Sequence, residues 1–378
     1  MNSLTSIMQQ TYRKFQGLQN SKSSFSNPNN QQTLYIIIYL VLLAAAATTW
    51  YILPTTTLPP PTSAATTTLR RRYYSATCPS AESTVAQIMK QSLLAEPRSA
   101  ASVLRLQFHD CFVNGCDGSL LLDDTPTMAG EKLALANINS LRSFEVIDKI
   151  KAELEQSCPG VVSCADIVIM AARDAVSLTG GPRWEVKLGR LDGLTASRAD
   201  SDAVMPSPRA NATTLIDLFA KLNLSVKDLV ALSGSHSIGR ARCFSITHRL
   251  YDDQAGARQP EAAIEPGFRE KLMQLCPVNG YQNVTGGLDS TPVVFDNLYF
   301  KDLVVGKGVL NSDQTLYTSP ETRAYVEEFS RDEEAFFQAF AEGMIKLGDL
   351  QSGQPGEVRR NCRAVNGSPA AAMNNYQN

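Results

Sequence analysis

Acidic residues are missing from the first 69 positions of this 378-residue chain, which hold only three basic ones, Arg13, Lys14 and Lys22. The formal charge of the whole is −2, so no strongly basic surface for nucleic acid is encoded. No two cysteines stand in a CxxC pair, which argues against a zinc ribbon or a thioredoxin-type motif. Alternating apolar–polar runs are nearly absent and no internal repeat is visible, which argues against a β-sandwich or a solenoid. Histidine is scarce: His109, His236 and His248 are all there is.

What is present divides the chain. Residues 1–33 form a polar, Gln/Ser/Asn-rich tail without periodicity. Residues 34–53, LYIIIYLVLLAAAATTWYIL, are uncharged and almost wholly apolar, a run of ~20 residues that can span a bilayer. Two readings fit it: a retained signal-anchor, or a cleaved signal with a long leading region. Residues 54–69 are a Thr/Pro-rich linker, 70–365 carry the folded domain and 366–378 are a small polar tail. The eight cysteines, Cys78, Cys111, Cys116, Cys158, Cys164, Cys243, Cys276 and Cys362, all lie downstream of the apolar run. An even count beyond such a segment indicates four disulfides in an oxidising compartment. Sequons at Asn211, Asn223, Asn283 and Asn366 point the same way.

Within the domain the periodicity is helical. Apolar residues recur at three- and four-residue spacing over 81–95, 100–112, 143–156, 164–178, 213–221, 226–232, 237–250, 266–275, 295–305 and 321–347. Cys-Pro, Gly-Gly-Pro and Pro-Ser-Pro breakers separate these segments. The fold class expected is all-α.

The chemistry concentrates in LRLQFHDCFVNGCDGSLLLDD, residues 104–124. Arg105 and His109, four apart, share one helix face in an apolar setting. A fixed cation lowers the proton affinity of a neighbouring imidazole, keeping it available as a base. Such a pair suits a reaction in which a proton is taken while negative charge develops nearby. By itself the pair reads more readily as a helix-surface Arg beside a core His satisfied by a backbone carbonyl. Asp110, Val113, Gly115, Asp117 and Ser119 then alternate hard oxygen donors with flexible backbone, as a Ca²⁺ loop does. The loop is not an EF-hand, and from composition alone a solvated polar loop fits as well. Asp123 and Asp124 have no assigned role, and neither does His248.

The ordered motifs extend this stretch: GEK (130–132), VSCADI (162–167), GGPRWEVKLGRLD (180–192), DLVALSGSHSIG (228–239), FDNLYF (295–300), NSDQ (311–314) and NCR (361–363). This series resembles the class III secretory haem peroxidases of plants over residues 70–365, with all eight cysteines in the family's order. The resemblance implies distal and proximal helical halves enclosing haem b, two Ca²⁺ sites and four disulfides: Cys78–Cys158, Cys111–Cys116, Cys164–Cys362 and Cys243–Cys276. It implies His236 as the haem-iron ligand, with Asp313 accepting its ring N–H. His109 would be the distal base, Arg105 the group that stabilises charge during O–O cleavage, and Asn137 the partner of the other His109 nitrogen. Phe108 would restrict access to the iron, and Pro206 would offer its carbonyl to a phenol at the haem edge.

The implied distal Ca²⁺ ligands are Asp110, Val113, Gly115, Asp117 and Ser119, with Glu131 acting through water. The implied proximal ligands are Ser237, Asp289, Thr291, Val294 and Asp296. Ser237 replaces the usual Thr, and a spacing one residue short puts Asp289 in question. The activity implied is oxidation of phenolic donors by H₂O₂ in two one-electron steps. It would serve peroxide removal or cell-wall phenolic oxidation. A monomer is expected, in the secretory pathway, cell wall or vacuole, or anchored to a membrane through 34–53 with the domain outside.

Overall fold

The computed structural model describes residues 68–251 and 264–368. The chain divides into two units, 1–62 and 63–378. The first, with the polar tail, the apolar run and most of the linker, lies outside the described residues. So does the tail from 369 onward. Among the described residues no helix is long and apolar enough to cross a membrane.

The described part is helical, as the periodicity predicts. In chain order the helices are α1 (Ala81–Ala95), α2 (Ser99–Phe112), α3 (Phe144–Ser157), α4 (Cys164–Leu178), α5 (Arg198–Val204), α6 (Ala212–Ala220) and α7 (Val226–Ser233). They continue as α8 (Cys243–Tyr251), α9 (Pro266–Leu275), α10 (Leu298–Val304), α11 (Asn311–Thr318), α12 (Pro320–Arg331) and α13 (Glu333–Gly348). Four short strands form two antiparallel pairs, β1 (Asp192–Gly193) with β4 (Gly356–Glu357) and β2 (Arg240–Arg242) with β3 (Thr285–Gly287).

Side-chain caps fix several helix starts. The Ser163 hydroxyl accepts from the Asp166 N–H at 3.2 Å to start α4, and Ser225 and Asp228 cap each other at α7. Helix α4 is buried along almost its whole length, packed by α2, α1 and α3. A second group joins α7, α10, α12 and α13, and α13 also reaches α2. One large core unites both groups: Leu106 and Phe112 of α2, Ile167 and Met170 of α4, and the ring cluster Phe295, Phe300, Phe329, Phe336 and Phe340. A smaller core lies under α8 and α9.

Three periodic segments fold differently from the prediction. Residues 237–250 are not one helix: Gly239 takes φ +107°, β2 follows, and α8 begins only at Cys243. Residues 295–297 stay outside α10, because the Asp296 N–H binds the Ser237 hydroxyl at 2.9 Å. Residues 321–347 are two helices, broken at Asp332, whose carboxylate accepts the Ala335 N–H at 3.0 Å and caps α13. Helices α5 and α11 carry too few apolar residues to show a period.

The disulfides Cys78–Cys158, Cys111–Cys116, Cys164–Cys362 and Cys243–Cys276 are all formed, and no described cysteine is free. The pairing is the one the resemblance implies. Cys164–Cys362 closes 198 residues of sequence and ties the C-terminal segment to the start of α4.

Candidate active site

Helix α2 places Arg105 and His109 on successive turns of one face. His109 is 5 % exposed, and its Nδ1 lies 2.5 Å from Oδ1 of Asn137. The Asn137 amide is oriented by its other end: Nδ2 donates to the Glu131 carbonyl at 2.8 Å and to the Ser201 hydroxyl at 3.3 Å. The oxygen therefore faces the ring and must accept, so Nδ1 carries the proton and Nε2 the free lone pair. Burial is the main cause holding His109 well below the usual imidazole pKa, and the Arg105 charge adds to it; the Asn137 bond opposes them. His236 also acts on His109 electrostatically, which puts the two rings in one neighbourhood.

Arg105 is held from behind. Its guanidinium donates to the Ala136 carbonyl at 2.8 Å and to the Ser140 hydroxyl at 3.1 Å. Burial and the nearby Arg242 push its pKa down to about 10, so it stays charged at neutral pH. Phe108 packs against Phe112 and Phe219, with centroids 4.9 and 6.2 Å away. Pro206 lies at a half-buried position just past the end of α5, the helix whose Ser201 touches Asn137.

His236 stands on the turn Gly234–Ser237 directly after α7. A Cβ on Gly234 would lie 2.4 Å from the Phe336 ring, so only glycine lets this turn sit so close to the core. His236 Nδ1 is 2.7 Å from Oδ1 of Asp313 at the start of α11. That carboxylate also accepts the Tyr299 hydroxyl at 3.1 Å on Oδ1 and the Leu310 N–H at 3.0 Å on Oδ2. Burial and the Asp313 charge raise the Tyr299 pKa well above its usual value, so the phenol is a donor.

The loop after α2 gathers negative charge out of water. Asp110, Asp117 and Glu131 are 2 %, 8 % and 1 % exposed. Burial, with Asp117 beside it, raises Asp110 to about 8; burial, with Asp110 beside it, raises Glu131 to about 9; Asp117 is raised by burial. The Ser119 hydroxyl touches both Asp117 and Glu131. The Arg359 charge opposes this rise at Asp110 and Asp117, and its backbone N–H donates to Asp192. Val113 and Gly115 supply backbone between the two aspartates. Gly115 has φ +91°, and its Cβ would fall 2.6 Å from the Gln351 backbone.

Asp123 and Asp124, unassigned from sequence, hold the segment that brings in Glu131. Asp124 accepts the Gly130 N–H at 2.7 Å, and Asp123 pairs with Lys132. Their signal was the charge complementarity between LLLDD and GEK. Ser201 and Tyr299 were missed because they lie far in sequence from the groups they serve.

On the proximal side the residues in question converge. The Ser237 hydroxyl donates to the carbonyls of Asp296, at 2.8 Å, and Val294, at 3.2 Å. The Thr291 hydroxyl reaches carboxylate oxygens of Asp296 at 3.0 Å and Asp289 at 3.3 Å. The shortened spacing thus leaves Asp289 inside the cluster. Burial raises its pKa to about 7, with Asp296 adding to the rise.

These residues fit the groups the resemblance implies. The His236 side chain is 36 % exposed although Asp313 beneath it is 2 % exposed, so the ring borders an open space. Its Nε2, left unprotonated by the Asp313 bond, is an imidazole donor suited to iron. Burial lowers the pKa of Arg98 and of Arg242, and neighbouring positive charge adds to it, from Arg142 and Arg240 at Arg98 and from Arg142 at Arg242, so this group of cations would suit a ligand with carboxylates such as haem. For Ca²⁺, the buried Glu131 Oε2 has no hydrogen-bond partner, and the donors are hard oxygens. Among the described residues no three His, Cys, Asp or Glu side chains form a metal-binding group by themselves. Each implied site needs only two direct carboxylates, the rest being carbonyls and hydroxyls.

A helical fold with two histidines, each fixed by its own partner and one of them, His109, beside the Arg105 cation, defines an oxidoreductase of the peroxidase type. The peroxidase family model matches residues 81–332. Peroxidase 17 of Arabidopsis thaliana is 70 % identical over 295 residues, 78 % of this chain and 89 % of that protein. Peroxidase 40 of Arabidopsis thaliana is 50 % identical, covering 77 % and 84 %. Peroxidase N of Armoracia rusticana is 48 % identical, covering 77 % and 89 %. The chain belongs to the class III plant peroxidases, enzymes that use H₂O₂ to oxidise phenolic donors.

Proposed function

We propose that His109, Arg105 and Asn137 are the peroxide-handling groups and that His236, backed by Asp313, holds the haem. The observation that carries this is the matched pair of bonds, Asn137 to His109 and Asp313 to His236. When bound, haem supplies the iron at which peroxide binds and the two-electron redox capacity. His109 Nε2 takes the proton of the incoming peroxide and returns it to the departing oxygen, so that oxygen leaves as water. Arg105, fixed by Ala136 and Ser140, is preorganised to meet the negative charge that builds on that oxygen. Pro206 offers a phenol its backbone carbonyl, away from Phe108.

Two Ca²⁺ ions belong to this reading. One is held by Asp110, Val113, Gly115, Asp117 and Ser119, with Glu131 through water. The other is held by Ser237, Asp289, Thr291, Val294 and Asp296. The four disulfides support delivery through the secretory pathway, with the catalytic domain outside or in the vacuole as a monomer. Segment 34–53 serves as a signal or as a retained anchor, and mass analysis of the mature N-terminus distinguishes them.

The site assignment is tested by reconstituting the purified protein with haem. A Soret band that shifts on adding H₂O₂, and that His236→Ala abolishes or displaces, is the expected result. An unchanged band in His236→Ala overturns the assignment.

A further inference from the structure

We infer that Tyr299 is a positioning residue that sets how strongly Asp313 pulls on His236, and through it the redox poise of the bound haem. This rests on the reading of His236 as the haem-iron ligand.

The geometry is a shared acceptor. One oxygen, Asp313 Oδ1, takes the His236 Nδ1–H at 2.7 Å and the Tyr299 hydroxyl at 3.1 Å. The second oxygen takes the Leu310 N–H at 3.0 Å. Tyr299 and Asp313 are buried, so the oxygen they share is withdrawn from bulk water. The Tyr299 ring stands edge-on to the His236 ring, centroids 6.1 Å apart at 82°.

Two donors on one oxygen compete for its electron density. Each weakens the other, and in a buried site that coupling is stronger than in water. The Tyr299 hydroxyl therefore draws charge away from the bond to Nδ1–H. With the phenol present, His236 stays closer to a neutral imidazole. Without it, Asp313 pulls harder and His236 gains imidazolate character. Toward bound haem, a more anionic His236 would favour ferric over ferrous iron and hold the iron more tightly. A buried tyrosine here could instead be mere core filling, and Tyr299→Phe separates the two roles because it removes one oxygen and keeps the ring.

The test uses the haem-loaded protein and two readouts: the ferric/ferrous midpoint potential and the iron–imidazole stretching frequency of the ferrous form. Tyr299→Phe is expected to lower the midpoint and raise the stretch. The same change in an Asp313→Asn background is expected to do neither, since the amide presents no shared charge. Site-specific 3-fluorotyrosine at 299, a stronger donor of nearly the same shape, is expected to shift both readouts in the opposite direction. This second variant serves where the phenylalanine protein folds poorly. No shift in either variant, or an equal shift with and without the Asp313 carboxylate, overturns the inference. Absence of an imidazole stretch in the unmodified protein would instead overturn the assignment of His236, a distinguishable failure.

Discussion

Glu131 serves two neighbours at once, its side chain lining the carboxylate pocket and its backbone carbonyl accepting the Asn137 amide at 2.8 Å. Asn137 in turn holds His109. The proposed calcium site and the proposed base are thus joined through one residue's main chain and one amide. The Cys111–Cys116 disulfide closes the same loop from the end of α2.

Asn137→Ala removes the group that fixes the His109 tautomer while leaving the base in place. Imidazoles with Nε2 protonated could no longer act. Loss of an orienting partner typically costs ~10–100-fold. The rate of reaction with H₂O₂, followed by stopped-flow, should fall by about that factor, with phenol oxidation at saturating peroxide much less affected.

His109→Ala goes further, because no other described group is placed to carry the proton. General acid–base catalysis contributes ~10²–10⁴-fold. The peroxide step should slow by that order, while affinity for a phenolic donor, measured by spectral titration, stays near the parent value. A wild-type peroxide rate in this variant would remove His109 from the mechanism.

How much of this was legible beforehand follows the range of each interaction. Helix α2 and its Arg105–His109 face were readable because i,i+4 geometry is local. The loop from Asp110 to Ser119 was readable as a run of oxygen donors, and the family motifs carried His236 and Asp313. The periodicity misled over 237–250, where Gly239 and the pairing of β2 with β3 override an apolar period. It also hid the break at Asp332, a capping choice that adds no change in apolar spacing. The parts invisible in sequence are those joined across the fold. Ser201 reaches Asn137 across 64 residues, and Tyr299 meets Asp313 through the approach of α10 to α11. The link from Asp123 and Asp124 to the GEK segment is short in sequence but depends on a turn that no period announces.

Arg105 should shift the acid limit of the proposed base, His109. Its charge depresses the His109 pKa in addition to burial, so the unprotonated form should persist well below pH 6.5. Arg105→Leu removes that contribution. The acid limb of the pH–rate profile for the peroxide step should move to higher pH, and the plateau rate should fall as well. An acid limb that stays in place would show that burial alone sets the His109 pKa.

Removing calcium should make stability fall as pH rises, the reverse of ordinary carboxylate behaviour. In the metal-free pocket Asp110 is raised to about 8 and Glu131 to about 9, against ~3.9 and ~4.3 in an unfolded chain. Between roughly pH 4 and 9 the folded state therefore binds more protons than the unfolded state, and unfolding free energy declines with pH. Below that window both states are protonated, and above it both are ionised, so the slope vanishes at each end. In the proposed site calcium would replace the protons, so its affinity should climb through the same window and the slope should disappear when the site is filled. Thermal unfolding in chelator between pH 5 and 9, compared with excess Ca²⁺, checks this. The chelated protein should lose melting temperature steadily with pH, the calcium-loaded one should not, and Glu131→Gln should flatten the chelated curve by removing one of the raised carboxylates.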